Sequence, residues 1–518
     1  MNHDGPVDRV ATRRAIWRRL AIACAALGGI GGAFAWGMQV GGARARANDA
    51  WTDGRLLSLA IDSVRANALD SLPNDELIRR AVSGMLRELH DPYAALLRPE
   101  GFRSYRGMLL GESQGLGISL RMQGELLSVR RLADGSPAAL AGVRRGDRIL
   151  AWNGVSMSSW RTRTAADSVR LKGDSARLVL WRPPFGDSVN VTVRRRTWHM
   201  PAVTESGMLS DSVGYVRLAS ITQQSARELE QTVAALTRRG ARALVLDLRG
   251  NGGGLFEEGV RAAGLFLEPG AVVASLAGRS GGEVQLHRAS GGRWLTMPLT
   301  VLVDAGTASA AEVIAAALRE HQRALLVGAP TYGKGVVQRV VKLSDELSLR
   351  LTTARWLTPT GRMLQLRKPN SAADQGGLQP DVRVSDPSLK DPSRLPNDWS
   401  ARQIARTVAA ADTAVMVAMR EGWSTTPVAM LESRLREQLT VQSPPPRRPD
   451  PARAAWLATT TRLALVRMLE VDGQREALLR FSMRDDHALR TGLDVLMPHV
   501  ARRGVSLMTT GIAQELPR

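Results

Sequence analysis

Apolar residues recur near i, i+3 and i+4 from residue 50 to about 105: Leu56, Leu57, Ala60 and Ile61, then Leu77, Ile78, Val82 and Leu86. That spacing predicts helices. They stop at His90-Asp91-Pro92-Tyr93, where proline cannot continue a helix. From about 106 to 197 the pattern shortens to alternating runs. Ser175–Trp181 and Val189–Val193 read as strands, bounded by Gly173-Asp174 and Gly186-Asp187. Between 198 and 390, strands such as Ala243–Leu248 and Leu299–Val303 alternate with helices such as Ser225–Arg238 and Ala310–Arg319. Such alternation argues for an α/β layer within a multi-domain α+β chain. A break rich in Pro, Ser and Asp follows at Asp386–Asn397. The remainder, 395–518, reads as helical around a proline-rich linker near 443–451.

The N-terminus has a different texture. Leu20–Val40 carries no charged side chain, and a helix of that length spans a bilayer core of about 30 Å. Arg13, Arg14, Arg18 and Arg19 precede it, so residues 1–19 are expected to stay cytoplasmic and everything after the span to be exported. Ala43-Arg44-Ala45 resembles a signal-peptidase site, but the apolar run exceeds an ordinary signal core and favours an uncleaved anchor. Cys24 lies too early in the run for lipidation and reads as a small membrane-buried residue.

At 518 residues the chain has room for about three domains. With 44% hydrophobic and 23% charged residues it can bury real cores, which excludes wholesale disorder. One cysteine excludes an intramolecular disulfide framework, a cysteine zinc site and a CxxC redox pair. The net charge of +21 comes from scattered arginines, and only five lysines occur. Aromatic residues are few and no basic helix is interleaved with them, so nucleic acid is not an expected partner.

Gly115-Leu116-Gly117-Ile118 precedes a strand, and Gly135-Ser136-Pro137-Ala138, Ala141-Gly142-Val143, Gly146-Asp147-Arg148-Ile149-Leu150 and Asn153-Gly154 follow. This run resembles a bacterial PDZ domain over about 90 residues. The resemblance implies capture of a peptide C-terminus: Gly115, Leu116, Gly117 and Ile118 would receive the carboxylate while a strand edge pairs with the tail. Ile118 and Leu120 point to an apolar pocket.

The strand Thr300–Val303 runs through Asp304-Ala305-Gly306-Thr307-Ala308 to Ser309, and strong helix formers begin at Ala310. A serine at such a turn sits at the positive end of a helix, where free N–H groups can hold an oxyanion. No histidine forms a set with it and a nearby acid. Lys334, in Thr331-Tyr332-Gly333-Lys334-Gly335, is the alternative base, since a desolvated lysine gives up its proton more readily. A surface lysine in a turn is the plainer reading, and local sequence leaves both open.

These two stretches, with Asp247-Leu248-Arg249-Gly250-Asn251-Gly252-Gly253-Gly254, Trp356-Leu357-Thr358-Pro359-Thr360-Gly361-Arg362-Met363-Leu364-Gln365 and Gly377-Leu378-Gln379-Pro380-Asp381, are similar in order and kind to the motifs of the C-terminal processing peptidases, tail-specific serine proteases of family S41. Asp91-Pro92-Tyr93 also fits, and the similarity runs from about 50 to 385. It implies a ClpP/crotonase-like protease core with an inserted PDZ domain. Ser309 falls on the nucleophile, Lys334 on the general base, Gln338 on a residue that positions the lysine in some members, and Gly253 and Ala310 on the oxyanion donors. No metal or organic cofactor is implied. Thr307 and Ala311 replace the usual flanking serines, Gly252 a proline and Asp304 an asparagine; none removes a reacting atom. Gln338 would lie beside Lys334 on a helical turn, but about 13 Å from it on a straight strand.

The expectation is a single-pass inner-membrane protein with a periplasmic serine endopeptidase, acting on proteins with exposed apolar C-terminal tails. A catalytically silent PDZ scaffold is the rival. A third reading uses Ser280, because Gly278-Arg279-Ser280-Gly281-Gly282 satisfies the G-x-S-x-G elbow, although an alternating strand-like run follows it. Leu465, Met468 and Leu469, with Trp456, form an apolar stripe suited to a core or to the face of a homo-oligomer.

Overall fold

The computed structural model describes residues 54–70, 72–123, 126–157, 173–182, 187–279, 284–364, 376–385, 395–396, 398–442 and 450–501. The 1–19 tail, the 20–40 span, Cys24, Ser280, Gln365 and the linker at 443–449 lie outside them. Among the described residues no helix is long and apolar enough to cross a membrane.

The chain divides into two units, Met1–Leu96 and Leu97–Arg518. In the first, the periodic stretch forms two helices, 54–67 and Asn74–Glu88. Asp75 and Glu76 occupy the first turn of the second, at the positive end of its dipole, and Glu76 pairs with Arg80 one turn on.

The second unit begins its β structure with a PDZ sheet whose order is Ile118–Gln123, Leu126–Leu132, Arg148–Trp152, Ser175–Arg182, Asp187–Arg194. Every neighbouring pair is antiparallel. Along Ser175–Arg182 burial alternates, so Ala176, Leu178 and Leu180 face the core with Val129, Ile149 and Trp152. Ile118–Gln123 is an edge strand.

The larger sheet runs Val203–Met208, Val213–Leu218, Ala243–Asp247, Leu299–Val303, Leu325–Gly328, Val382–Arg383. Its first pair is antiparallel and the rest parallel. Ala243–Asp247 and Leu299–Val303 are buried along their whole length, which explains their unbroken apolar runs: both faces are covered. Helices Ser225–Arg238, Phe256–Gly264 and Ala310–Glu320 pack on one face. The last helix, His487–Ala501, covers the other, with Leu489 and Leu496 against Tyr215, Val245 and Leu302. A second, antiparallel sheet carries Val336–Lys342, Ser348–Leu357, Val272–Ala277 and Gln285–Arg288.

Helices Ala401–Arg420, Val428–Gln442, Pro451–Val471 and Arg475–Ser482 build a separate apolar core. Leu465, Met468 and Leu469 are buried inside it, so the stripe is a core and not an exposed face. Ser400 opens the first of these helices with a capping box: its hydroxyl accepts from the Gln403 amide while the Gln403 side chain accepts from the Ser400 amide. This extension grips the PDZ domain through polar contacts. Arg148 and Arg467 share the carboxylate of Asp412, Arg145 meets Glu470, and Arg475 forks onto Asp134.

Candidate active site

Four segments converge at the N-terminus of the Ala310–Glu320 helix. Ser309 caps that helix with φ 56° and ψ −122°, a conformation costing a non-glycine residue about 1–3 kcal/mol and persisting only where the surroundings impose it. Here they do. The Ala308 amide donates to the Asn251 carbonyl (2.9 Å), the Ser309 amide to Glu312 Oε2 (2.8 Å), and the Val313 amide to the Ser309 carbonyl (3.0 Å). The preceding turn is built by Asp304, whose Oδ1 accepts from the Gly250 and Gly306 amides (2.8 and 2.9 Å), and by the Thr307 hydroxyl, which donates to the Leu248 carbonyl (2.9 Å). An asparagine would offer the same oxygen, so Asp304 in its place keeps the turn.

Lys334 reaches this point from the other side. Its carbonyl accepts from the Trp356 indole (2.9 Å), and its amide donates to Glu312 Oε2 (2.9 Å). One buried carboxylate oxygen therefore ties the backbones of Ser309 and Lys334 together. The other, Oε1, accepts from the Thr331 hydroxyl (2.5 Å) and the Gly333 amide (2.7 Å). Burial pushes the Glu312 carboxyl above its ordinary value, and the four donors only partly offset this. Thr331 in turn accepts from the Leu378 amide (2.8 Å), bringing in the Gly377-Leu378 segment. Glu312 is the centre that sequence reasoning missed. Its signal was local: Ser309-x-x-Glu312 has capping-box spacing.

Gly253 also arrives beside Ser309. A Cβ there would lie 2.6 Å from the Ala308 carbonyl oxygen and 2.8 Å from the Ser309 Cβ, and φ is +87°, so only glycine fits. In this conformation the Gly253 amide donates to Asn251 Oδ1 (2.9 Å), closing a side-chain turn two residues long, while Asn251 Nδ2 holds the Leu218 carbonyl (2.8 Å). Ala310 sits at the first position of the helix, with its side chain buried.

Gln338 lies on the strand Val336–Lys342, just past an irregularity between Val337 and Gln338. The four-residue step from Lys334 is therefore not a helical turn. Its buried Nε2 has no hydrogen-bond partner among the described residues. The elbow reading of Gly278–Gly282 fails on topology, because that segment joins the antiparallel strands Val272–Ala277 and Gln285–Arg288, whereas an elbow needs a following helix.

In the PDZ domain Gly117 has φ +77°, and a Cβ there would fall 2.1 Å from the Ser136 Cβ. The Leu116 and Gly117 carbonyls accept from the Ala138 and Ala133 amides (3.0 and 2.9 Å), and the Gly115 carbonyl from the Trp198 indole (2.9 Å). Leu116 itself is buried in the domain core. Ile118 begins the edge strand.

Comparison with known proteins agrees with this assembly. Residues 212–384 match peptidase family S41, and residues 128–182 match a PDZ domain. The chain is 31% identical over 342 residues to the carboxy-terminal processing protease CtpA of Bacillus subtilis, covering 66% of this chain and 70% of that protein. It is 30% identical over 325 residues to a CtpA-like serine protease of Staphylococcus aureus, where it spans 63% of the relative's length and 62% of its own. Among solved structures, the photosystem II D1 C-terminal processing protease is 29% identical, with TM-score 0.39, over 67% of this chain and 92% of that one. The fold and site thus define a serine peptidase with an embedded PDZ domain. The chain belongs to peptidase family S41, among the carboxy-terminal processing proteases.

Proposed function

We propose that this chain is a membrane-anchored, extracytoplasmic serine endopeptidase that cleaves proteins near unstructured apolar C-terminal tails, using Ser309 as nucleophile and Lys334 as base. The observation that carries the reading is Glu312, which binds the Ser309 and Lys334 amides through one oxygen. A binding scaffold has no use for that junction. Residues 20–40 supply the anchor and the inner membrane its location, with the catalytic part on the periplasmic side.

In this mechanism the tail enters beside the edge strand Ile118–Gln123, and its carboxylate is received by the Gly115–Ile118 loop. Neutral Lys334 takes the Ser309 proton as Oγ attacks the scissile carbonyl. The bond to the leaving nitrogen breaks as Lys334 hands the proton on, leaving an acyl-enzyme. Water, deprotonated by the same amine, releases the acid and restores Ser309. The Ala310 amide, at the helix N-terminus, stabilises the oxyanion. The Gly253 amide joins it once the Asn251 side chain lets go. Gln338, whose buried Nε2 has no partner among the described residues, is the candidate to orient the lysine, and the ClpP/crotonase-like reading of the core rests on the same motifs.

The Asn251–Gly253 bond is the observation that favours the silent-scaffold alternative. Cleavage of an unfolded protein ending in apolar residues decides between the two. Wild type should cut while Ser309→Ala and Lys334→Ala do not; a wild type that binds the tail without ever cutting it would establish the scaffold.

A further inference from the structure

The glycine-rich segment that carries Gly253 leaves the sheet directly after Asp247, and its first charged residue is Arg249. That guanidinium is fully buried. It is held by two carboxylates: Asp247, two residues back, at 2.6 Å, and Asp486, at 2.7 and 2.8 Å in a parallel fork. Burial alone would lower the Arg249 group, but the two carboxylates outweigh it, so it is raised and stays charged. The Tyr215 hydroxyl donates to Asp247 (2.8 Å) and joins the cluster. Asp486 lies beyond residues 212–384, where the peptidase match ends, in the helical extension. Its Oδ1 also accepts from the Leu489 amide (3.0 Å), capping the helix that covers the sheet's second face.

We propose that Asp486 is a positioning residue for the oxyanion segment: the extension supplies the second carboxylate that pins Arg249, and through it the path of Gly250–Gly254 beneath Ser309. The inference rests on the protease reading above. Removing one of the carboxylates that compensate a buried arginine leaves its charge under-compensated, which pulls the guanidinium and its backbone toward water. The Gly253 carbonyl already accepts from the Ile221 amide (3.1 Å), and the Ser309 turn packs so closely that even a Cβ on Gly253 would clash with it, so the segment has no room to follow.

The test uses full-length protein and Asp486→Asn. Asparagine caps a helix as well as aspartate does, so the covering helix is retained while the charge is lost. Arg480→Ala is the control. It removes another bond from the extension to the core, the one from Nε to the Met208 carbonyl. Cleavage kinetics on an unfolded apolar-tailed protein are read beside amide hydrogen exchange of residues 249–255. For Asp486→Asn, kcat should fall about 100-fold, the effect of a displacement near 1 Å at a reacting centre. KM should hold within about twofold, and exchange at 250–254 should quicken about tenfold while His487–Ala501 stays protected. Arg480→Ala should leave kcat within about twofold. Unchanged kcat and loop exchange in Asp486→Asn would overturn the proposal, as would an equal loss in Arg480→Ala. If wild type itself does not cut, the protease reading fails, and the exchange of 250–254 alone decides the positioning role.

Discussion

Glu312→Gln removes a charge from the carboxylate on which Ser309, Thr331, Gly333 and Lys334 all converge, and changes the side chain's size hardly at all. The amide keeps one acceptor oxygen. If it faces Ser309 and Lys334, both of their N–H groups remain bonded. The new NH2 then meets the Thr331 hydroxyl, which can turn to accept, and the Gly333 N–H, which cannot. The opposite orientation strands the Ser309 and Lys334 amides instead, so the first is preferred. One stranded buried donor costs about 1–3 kcal/mol, a large share of a stability of about 5–15 kcal/mol. Denaturant unfolding should register that loss, with kcat lower by roughly tenfold for each 1.4 kcal/mol that falls on the transition state. Glu312→Ala strands all four donors and should be worse on both counts. Unfolding midpoints and cleavage rates matching wild type in both variants would refute the assignment of Glu312 as the site's centre.

Because Glu312 is raised in the fold, the folded chain holds its proton to higher pH than the unfolded chain does. This group's contribution to stability is therefore fully present below its ordinary value, 4.5, and declines as pH rises through the raised one. The stability gap between wild type and Glu312→Gln should shrink over that window in unfolding titrations; a gap that widens would contradict the burial argument. Gly253→Ala places a methyl into the Ala308 carbonyl and the Ser309 Cβ, so cleavage should fall at least about 100-fold, read as kcat. Gly117→Ala drives a methyl into Ser136, and fluorescence anisotropy should show loss of apolar-tail binding while the serine site keeps its structure.

Much of this architecture was legible in one dimension. Ser225–Arg238 appears as a helix because it buries one face whose period is written locally, and Leu299–Val303 as a strand because a short unbroken apolar run suits a strand covered on both faces. Ser309 at a strand-to-helix turn follows from a β-rich run meeting strong helix formers. What sequence did not yield depends on partners distant in the chain. Glu312 reads as an ordinary first-turn acid until Thr331 and Lys334 are folded onto it. Asp486 pairs with Arg249 across 237 residues. Gln338 needed the secondary structure of 336–342 before its spacing from Lys334 had a meaning. The Asn251–Gly253 turn is a choice of side-chain rotamer, to which residue spacing is blind.

The central claim is that Ser309 forms the covalent intermediate with Lys334 as its base. Rapid acid quench of wild type with an unfolded, apolar-tailed protein, followed by peptide mapping, tests it directly. The account predicts a substrate acyl group on the peptide containing Ser309, absent in Lys334→Ala. Cleavage with the acyl group on the peptide containing Ser280, or undiminished cleavage by Ser309→Ala, would contradict it.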